Sequence, residues 1–195
     1  MNPNDDKRLI DSILGGKQAD FAIVIERYQR LVAYLVARMI PKVADRDDLC
    51  QDIFIKVYRH LGEFQFRSKF STWIATIAHN TCVNYLEKKR VSLYEDLQVA
   101  DEDEASHGME WIPSGDRSPL DRVEAHELRV TLEREIERIP LPYREILALF
   151  HLEEMSYEEI GTIMNLPEGT VKSYLFRARR FLRDRLLALY QMEAV

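Results

Sequence analysis

Apolar residues recur every three or four positions through most of the first half of this sequence, and that spacing predicts α-helices. Between residues 18 and 89, only Pro41 and Gly62 supply the residue types that break helices. We therefore predict helices over 18–40, about 47–61 and about 71–89, with Asp45 as N-cap of the second. Their apolar stripes should share one core: Phe21, Ile25, Tyr28, Val32, Leu35 and Met39; Leu49, Ile53, Val57 and Leu61; and Trp73, Ile77, Thr81 and Leu86 or their neighbours.

Charge is unevenly distributed along the chain. The net charge is −6, yet residues 91–127 hold eleven acidic and two basic residues, a net charge of −9, so the remainder carries +3. Residues 56–90 hold seven bases against two acids, and residues 165–187 hold six against two. Two basic segments on either side of an acidic one indicate two separate contacts with nucleic acid.

Residues 91–117 have no sustained period and predict a flexible acidic linker. Helix should restart at Ser118, which is a candidate N-cap followed by Pro119, and should stop at Pro140. Further helices are predicted up to about His151, from a capping box at Ser156 to about Asn165, and from about 167 to 190. The predicted fold class is all-α, with two small helical domains (1–90 and 118–195) joined by the linker 91–117.

Residues 157–182 fit a helix-turn-helix. Gly161 is small where the two helices would cross, and Asn165 tolerates the positive φ that the turn requires. The second helix would then offer basic and polar side chains to base edges and phosphates. An ordinary helical hairpin with a solvated basic face is the alternative. The apolar inner face would consist of Ile160, Met164, Leu166, Val171 and Leu175.

Residues 45–90 combine an acidic helix start, an aromatic-rich loop and a helix with asparagines and a basic end. This mixture suits single-stranded nucleic acid, because aromatic rings stack on bases, amides read base edges and cations hold the backbone. Phe64 and Phe66 lie in the loop and are predicted to be exposed, whereas Trp73 could equally fill the core.

The helix at 71–89 places Trp73, Asn80 and Asn84 on one flank. Phe64 and Phe70 bracket the loop beside that flank. We therefore predict a pocket with aromatic walls and an amide at its base, which would hold one flipped base. The alternative is that Asn80 caps or bridges within the helical bundle.

Other classes of protein are less well supported. No apolar run approaches the roughly 18 residues of a membrane span, and the N-terminus lacks the features of a secretory signal, so we expect a cytoplasmic protein without direct membrane insertion. Cys50 and Cys82 have no partners at metal-ligand spacing and are expected to be small buried residues. A response regulator would need a parallel sheet in residues 1–90, and a nucleic-acid enzyme would need a metal cluster or a nucleophile with its base. The acids Asp45, Asp47, Asp48 and Asp52 fit a helix N-terminus better than a metal site.

Four blocks, in order, carry a family resemblance: ERYQRLVAYLVAR (26–38), DDLCQDIFIKVYRHLGEF (47–64), FSTWIATIAHNTCVNYL (70–86) and the segment 139–182, which includes the helix-turn-helix. From about Leu9 to Leu187, the chain resembles the extracytoplasmic-function group of bacterial sigma factors, especially the envelope-stress sigma-E type. The resemblance implies an alternative sigma factor that binds core RNA polymerase, recognises −35 and −10 promoter elements and promotes melting. It also implies that the linker threads polymerase channels that otherwise hold RNA.

The resemblance assigns roles to individual residues of this chain. Docking on the clamp of the largest polymerase subunit would use Asp48, Gln51, Asp52, Ile55 and Tyr58. Binding of the −35 duplex would use Lys172, Ser173, Tyr174, Phe176, Arg177 and Arg180. Capture and melting of the −10 element would use Phe64, Phe70, Trp73, Asn80, Asn84 and Lys88. The implied partners are core polymerase, duplex and single-stranded promoter DNA, and a membrane-anchored anti-sigma protein. No cofactor, metal or catalytic residue is expected, because the polymerase performs the chemistry.

Overall fold

The computed structural model describes residues 3–95, 130–132, 134–151 and 153–193, and its regular elements are helices. The all-α prediction is confirmed, and residues 3–95 are helical where a response regulator would have a sheet. We call residues 3–95 the N-terminal half and the described residues from 130 to 193 the C-terminal half. The helices are α1 (Pro3–Leu14), α2 (Phe21–Met39), α3 (Arg46–His60), α4 (Phe70–Glu95), α5 (130–132 and 134–137), α6 (Leu141–His151), α7 (Tyr157–Met164) and α8 (Glu168–Glu193).

The three predicted N-terminal helices are present, and one more precedes them. Helix α1 was not predicted, although Leu9, Ile10 and Ile13 are buried on one of its faces. Asp6 fastens α1 to α2, because its carboxylate accepts hydrogen bonds from Arg27 at 2.8 Å and from Tyr28 at 2.9 Å.

The buried stripe of α2 differs from the prediction at one position. Ile25 is exposed, and Val24 is buried in its place. Successive residues of a helix are about 100° apart, so a stripe centred on Tyr28, Val32 and Leu35 turns Ile25 toward solvent.

Asp45 lies at the start of α3, but its side chain makes no capping hydrogen bond, so that prediction is wrong. Its carboxylate accepts a short hydrogen bond from Tyr85 of α4 and forms ion pairs with Lys42 and Lys89. The Tyr85 hydroxyl keeps the pKa of Asp45 below its usual value. Tertiary contact with α4 therefore replaces the local cap.

Helix α4 packs through residues next to the predicted stripe. Ile74, Ala75, Ala78 and Cys82 are fully buried, while Trp73 and Ile77 are half-buried. Burial raises the pKa of the Cys82 thiol to about 12, in agreement with its predicted apolar role, whereas Cys50 is half-buried. The helix continues to Glu95, beyond the predicted domain end at residue 90.

The C-terminal helices also follow the predictions wherever the structure describes them. Helix α6 ends at His151, α7 ends at Met164, and α8 begins just after Pro167. The predicted linker from residue 96 onward and the predicted helix start at Ser118 lie outside the described residues. The two halves pack together, with α2 against α6 and α4 against α7.

Candidate nucleic-acid and polymerase interfaces

Local chemistry holds α7 and α8 in a helix-turn-helix. The Ser156 hydroxyl accepts from the backbone N–H of Glu159, and the Glu159 carboxylate accepts from the backbone N–H of Ser156, which completes the predicted capping box. Asn165 ends α7 in the left-handed conformation, with φ 52° and ψ 47°. A Cβ on Gly161 would lie 2.8 Å from the carbonyl oxygen of Leu166, so only glycine fits where the turn crosses α7.

Most of the predicted −35 residues lie on the exposed face of α8. Lys172, Ser173, Phe176, Arg177 and Arg180 are exposed, and Phe176 is 68% exposed. An aromatic ring left this far out of the core, on the leading turns of a basic helix, is available to a partner. Tyr174 is half-buried instead, with its ring 5.3 Å from that of Tyr143 in an edge-to-face contact.

The surroundings of two cationic side chains on α8 raise their pKa values. Lys172 Nζ lies 2.6 Å from Glu168 Oε1, and this contact raises the pKa of Lys172. A hydrogen bond with the Tyr143 side chain raises the pKa of Arg177. Lysine and arginine side chains are cationic at neutral pH, and this charge is what binding to a phosphate or to a guanine edge requires.

The aromatic residues around the loop before α4 form a packed cluster. The Phe64 ring lies 5.2 Å from Phe70 and 5.3 Å from Trp73, and Phe70 lies 5.4 Å from Tyr28. Phe64 is only 7% exposed, so its predicted exposure is wrong. The loop folds back so that Phe64 and Phe70 fill the space above Tyr28, and neither forms an open wall for a base.

Phe66 is the loop aromatic that faces solvent, as predicted. It is 45% exposed, has a φ of 57°, and packs against Phe64 with ring centroids 4.7 Å apart. Lys7 of α1 lies 5.9 Å from its ring centroid. Positive φ is unfavourable in a bulky residue, and such strained conformations cluster at functional sites.

The polar flank of α4 is open. Asn80, Asn84 and Lys88 are exposed, and the Asn80 side chain makes no hydrogen bond to any other described residue. The alternative role for Asn80, as a cap or bridge within the bundle, therefore lacks a partner among these residues.

All five predicted polymerase contacts lie on the outer face of α3. Leu49, Ile53 and Val57 are buried as predicted, which turns the other side of the helix to solvent. That exposed face carries Asp48, Gln51, Asp52, Ile55 and Tyr58. Tyr58 also contacts Phe21 of α2, with centroids 5.0 Å apart.

Sequence reasoning missed a set of polar contacts between the halves. His79 lies 2.6 Å from Glu145, and Glu159 contacts Thr72 and Lys69. His79 and Glu145 are 66 residues apart in the sequence, and Thr72 and Glu159 are 87 residues apart. The periodic spacing of residues within a helix cannot predict contacts over such separations.

The described residues contain neither a membrane-spanning helix nor a cluster of metal ligands. None of their helices is both long enough and apolar enough to pass through a membrane. No three of their His, Cys, Asp or Glu side chains converge to form a metal site.

Comparison with known proteins places both halves in one family. Residues 24–91 match sigma-70 region 2, and residues 129–182 match sigma-70 region 4. The chain is 36% identical over 187 residues to the ECF RNA polymerase sigma-E factor of Escherichia coli, and this alignment covers 94% of this chain and 95% of that protein. It is 33% identical over 180 residues to the ECF RNA polymerase sigma factor SigW of Bacillus subtilis, covering 92% of this chain and 96% of that protein.

Solved structures share the fold. The sigma factor RpoE of Bartonella quintana, crystallised with the anti-sigma factor NepR, superposes with a TM-score of 0.68 at 22% identity, over 86% of this chain and 96% of that one. CnrH, solved in complex with the cytosolic domain of CnrY, superposes with a TM-score of 0.62 at 21% identity. The superposition covers 94% of this chain and 97% of CnrH. The chain thus belongs to the extracytoplasmic-function group of the sigma-70 family, whose members are transcription initiation factors.

Proposed function

We propose that this sigma factor uses three separate faces: α3 for core polymerase, the outer side of α8 for the −35 duplex, and the flank of α4 with the preceding loop for the −10 single strand. The observation that carries the proposal is that each of these faces is exposed while the opposite side of the same helix is buried. Polymerase performs the chemistry, so the chain contributes binding energy and is not itself an enzyme. Core polymerase supplemented with this chain should produce run-off transcripts that core alone does not produce, and their absence from every promoter offered would refute the proposal.

The −35 assignment rests on the composition of the exposed face of α8. Arg177 can donate two parallel hydrogen bonds to a guanine edge, Phe176 can contact a thymine methyl group, and Lys172 can hold a phosphate.

Arg177→Ala should weaken −35 binding by about 1–3 kcal/mol and relax the preference at one base pair, because a base-edge contact is lost. Titration of duplexes that carry each base at each −35 position would measure this loss. Arg183→Ala is the matched control, since Arg183 is an exposed arginine further along α8 that pairs with Asp184. A uniform loss on all sequences with a smaller salt dependence would make Arg177 a phosphate contact. Unchanged affinity for every duplex would remove it from the site.

The proposed −10 site uses a different aromatic residue from the pocket that the sequence predicted. Phe66 is the exposed ring available for stacking, and Phe64, Phe70 and Trp73 support it from below. Stacking contributes roughly 1–3 kcal/mol per base. Asn80 and Asn84 supply amides that can read base edges, and Lys88 supplies a charge for the backbone.

Asn80→Ala should reduce transcription from duplex promoters about tenfold, because loss of an amide contact worth roughly 1–3 kcal/mol weakens capture of the opened strand. Run-off assays on duplex templates and on templates mismatched at −10 would separate opening from binding, and the mismatched templates should show the smaller loss. Gln29→Ala, which removes an exposed amide on α2, is the control. Equal activity of Asn80→Ala and the unsubstituted protein on every duplex promoter would contradict the assignment. A lower melting temperature for Asn80→Ala than for the unsubstituted protein would favour a structural role for Asn80.

The relatives also support a proposal for the regulation and location of this chain. Two solved relatives are named as complexes with an anti-sigma protein or a cytosolic domain, so an anti-sigma partner, membrane-anchored and released by envelope stress, fits this chain. The site of action is the cytoplasm, where polymerase is. We propose two domains, 1–95 and 118–195, joined by the acidic residues between them; the first ends with α4 at Glu95 rather than at residue 90.

A further inference from the structure

Helix α1 brings a lysine to the exposed ring of the loop before α4. Lys7 Nζ lies 5.9 Å from the centroid of the Phe66 ring, and both side chains are exposed. Lys7 forms no ion pair with any described residue, although the exposed Asp11 lies one helical turn further along α1. Its ammonium group is therefore available to an anion. Helix α1 begins before residues 24–91, which match sigma-70 region 2, so that match gives it no role.

A buried carboxylate fixes the position of Lys7. The neighbouring residue, Asp6, is 8% exposed and accepts hydrogen bonds from Arg27 at 2.8 Å and from Tyr28 at 2.9 Å. Hydrogen bonds that involve a charged group are among the stronger ones in proteins, so this end of α1 is held on α2. The same bonds direct the Asp6 carboxylate to α2 rather than to Lys7.

The same tyrosine supports the exposed ring through a series of aromatic contacts. The Tyr28 ring meets the Phe70 ring edge-on, with centroids 5.4 Å apart. Phe64 lies 5.2 Å from Phe70 and 4.7 Å from Phe66. Because Phe64 and Phe70 are buried, Phe66 rests on a packed core. One buried network thus places both the ring and the lysine before a ligand arrives, which lowers the cost of binding.

The loop contributes a second cation beside the ring. Arg67 follows Phe66, is exposed and forms no ion pair within the described part of the chain, whereas Lys69 is paired with Glu159. Phe66 therefore has a cation from α1 and a cation from its own loop as neighbours. This combination suits single-stranded nucleic acid, because the ring stacks on a base and the cations hold the backbone.

The contact between Lys7 and the ring can give way to a phosphate. At 5.9 Å it is near the outer limit of about 6 Å for a cation–π interaction, and such an interaction is weak at an exposed site. A phosphate carries a full negative charge and attracts the ammonium group more strongly than the face of a ring does. Since each base is joined to its own phosphate, a base that stacks on Phe66 brings a phosphate near Lys7.

We propose that α1 forms part of the single-strand site, with Lys7 binding the backbone phosphate of a nucleotide whose base stacks on Phe66. The proposal rests on the −10 face proposed above and adds an element to it. Neither contact depends on the identity of the base, because every base has a flat face and every nucleotide has a phosphate. The pair therefore holds the strand, and Asn80 and Asn84 are left to read its sequence.

The salt dependence of binding gives a direct test through Lys7→Ala. Fluorescence anisotropy would follow the full chain binding to labelled single-stranded oligo(dT) of about 12 nucleotides, which is within the usual site size. Each phosphate contact on a single strand contributes about 0.7 to the slope of log affinity against log salt, so Lys7→Ala should make that slope shallower by about 0.7. The same figure gives a loss of about fivefold at about 0.1 M salt, fading toward about 1 M.

Two further lysine variants control for the fold and for net charge. Lys7→Arg keeps the positive charge and should keep both the affinity and the slope. Lys17→Ala removes an exposed lysine that follows α1 and should change neither. Oligo(dA) in place of oligo(dT) should show the same loss for Lys7→Ala, because a phosphate contact does not read the base.

A double-mutant cycle tests whether the lysine and the ring act on the same nucleotide. Phe66→Ala should weaken binding by about fivefold or more, because stacking on one base is lost. Without the ring, no base is held beside Lys7, so adding Lys7→Ala to Phe66→Ala should cost about twofold or less. Fully additive losses would place the phosphate that Lys7 binds elsewhere on the strand and overturn the shared site.

Three other results would also overturn the proposal: an unchanged salt slope in Lys7→Ala, an equal change of slope in Lys17→Ala, or no binding of either oligonucleotide by the unsubstituted chain. Run-off transcription decides the proposed function separately. Transcription by the unsubstituted protein together with an unchanged slope in Lys7→Ala would refute only the α1 contact. No transcripts together with the expected change of slope would refute the proposed function and leave Lys7 as a contact to single-stranded nucleic acid.

Discussion

Replacing Phe70 with alanine should lower the free energy of unfolding by about 3–5 kcal/mol, the usual cost of removing a buried phenylalanine side chain. Phe70 is almost completely buried and contacts Tyr28, Phe64 and Trp73, so the cavity would lie where α2, α4 and the loop meet. Urea unfolding followed by circular dichroism would measure the change.

Phe66→Ala is the control for this substitution. Phe66 belongs to the same loop and touches Phe64, but it is exposed, so its removal should change stability by no more than about 1 kcal/mol. The pair also separates two roles. If Phe70→Ala unfolded like the unsubstituted protein and yet lost activity on duplex promoters, Phe70 would be a nucleic-acid contact, as its position in the sequence first indicated.

Asp52→Lys should reduce affinity for core polymerase by about 100-fold or more, since placing a charge against a surface built for its opposite costs several kcal/mol. Asp52 is exposed on α3, one helical turn from Asp48 and beside the exposed Ile55. Because no described contact depends on its side chain, the variant should fold normally. Titration of labelled core polymerase would give the affinity, and run-off transcription should fall in parallel.

Asp11→Lys makes the same charge change at an exposed position of another helix, α1. Its affinity for core should stay within about twofold of the original, because isolated surface charges contribute little. Equal losses from both substitutions would indicate a general electrostatic effect. Unchanged binding by a folded Asp52→Lys protein would move the docking face away from α3.

The helices and the turn of the DNA-binding motif could be read from the sequence because their determinants are local. Apolar spacing of three or four residues locates α2, α3 and α4, the Ser156–Glu159 box starts α7, and Asn165 ends it. Each of these features depends on residues within about one helical turn of one another, so the local sequence is enough to predict it. Helix α1 was missed although Leu9, Ile10 and Ile13 have the same spacing, because its apolar run is short.

Side-chain placement was predicted less well wherever a distant element decides it. Asp45 has the residue type of an N-cap, yet its carboxylate accepts a hydrogen bond from Tyr85, which is 40 residues away in the sequence. Phe64 has the loop position of an exposed ring, yet it is buried against Phe70 and Trp73 of α4. Burial of an aromatic ring is worth more than any local preference of a loop, so the tertiary contact prevails.

The sequence by itself determined the helical fold, the helix-turn-helix and its basic face, and the family. Only the tertiary structure decided which loop aromatic faces solvent, and that Glu145 and Glu159 meet His79, Thr72 and Lys69 across the two halves. The physical reason is the range of the interactions. Hydrogen bonds and apolar contacts within a helix join residues three or four apart, whereas packing between helices joins residues whose separation along the chain carries no pattern.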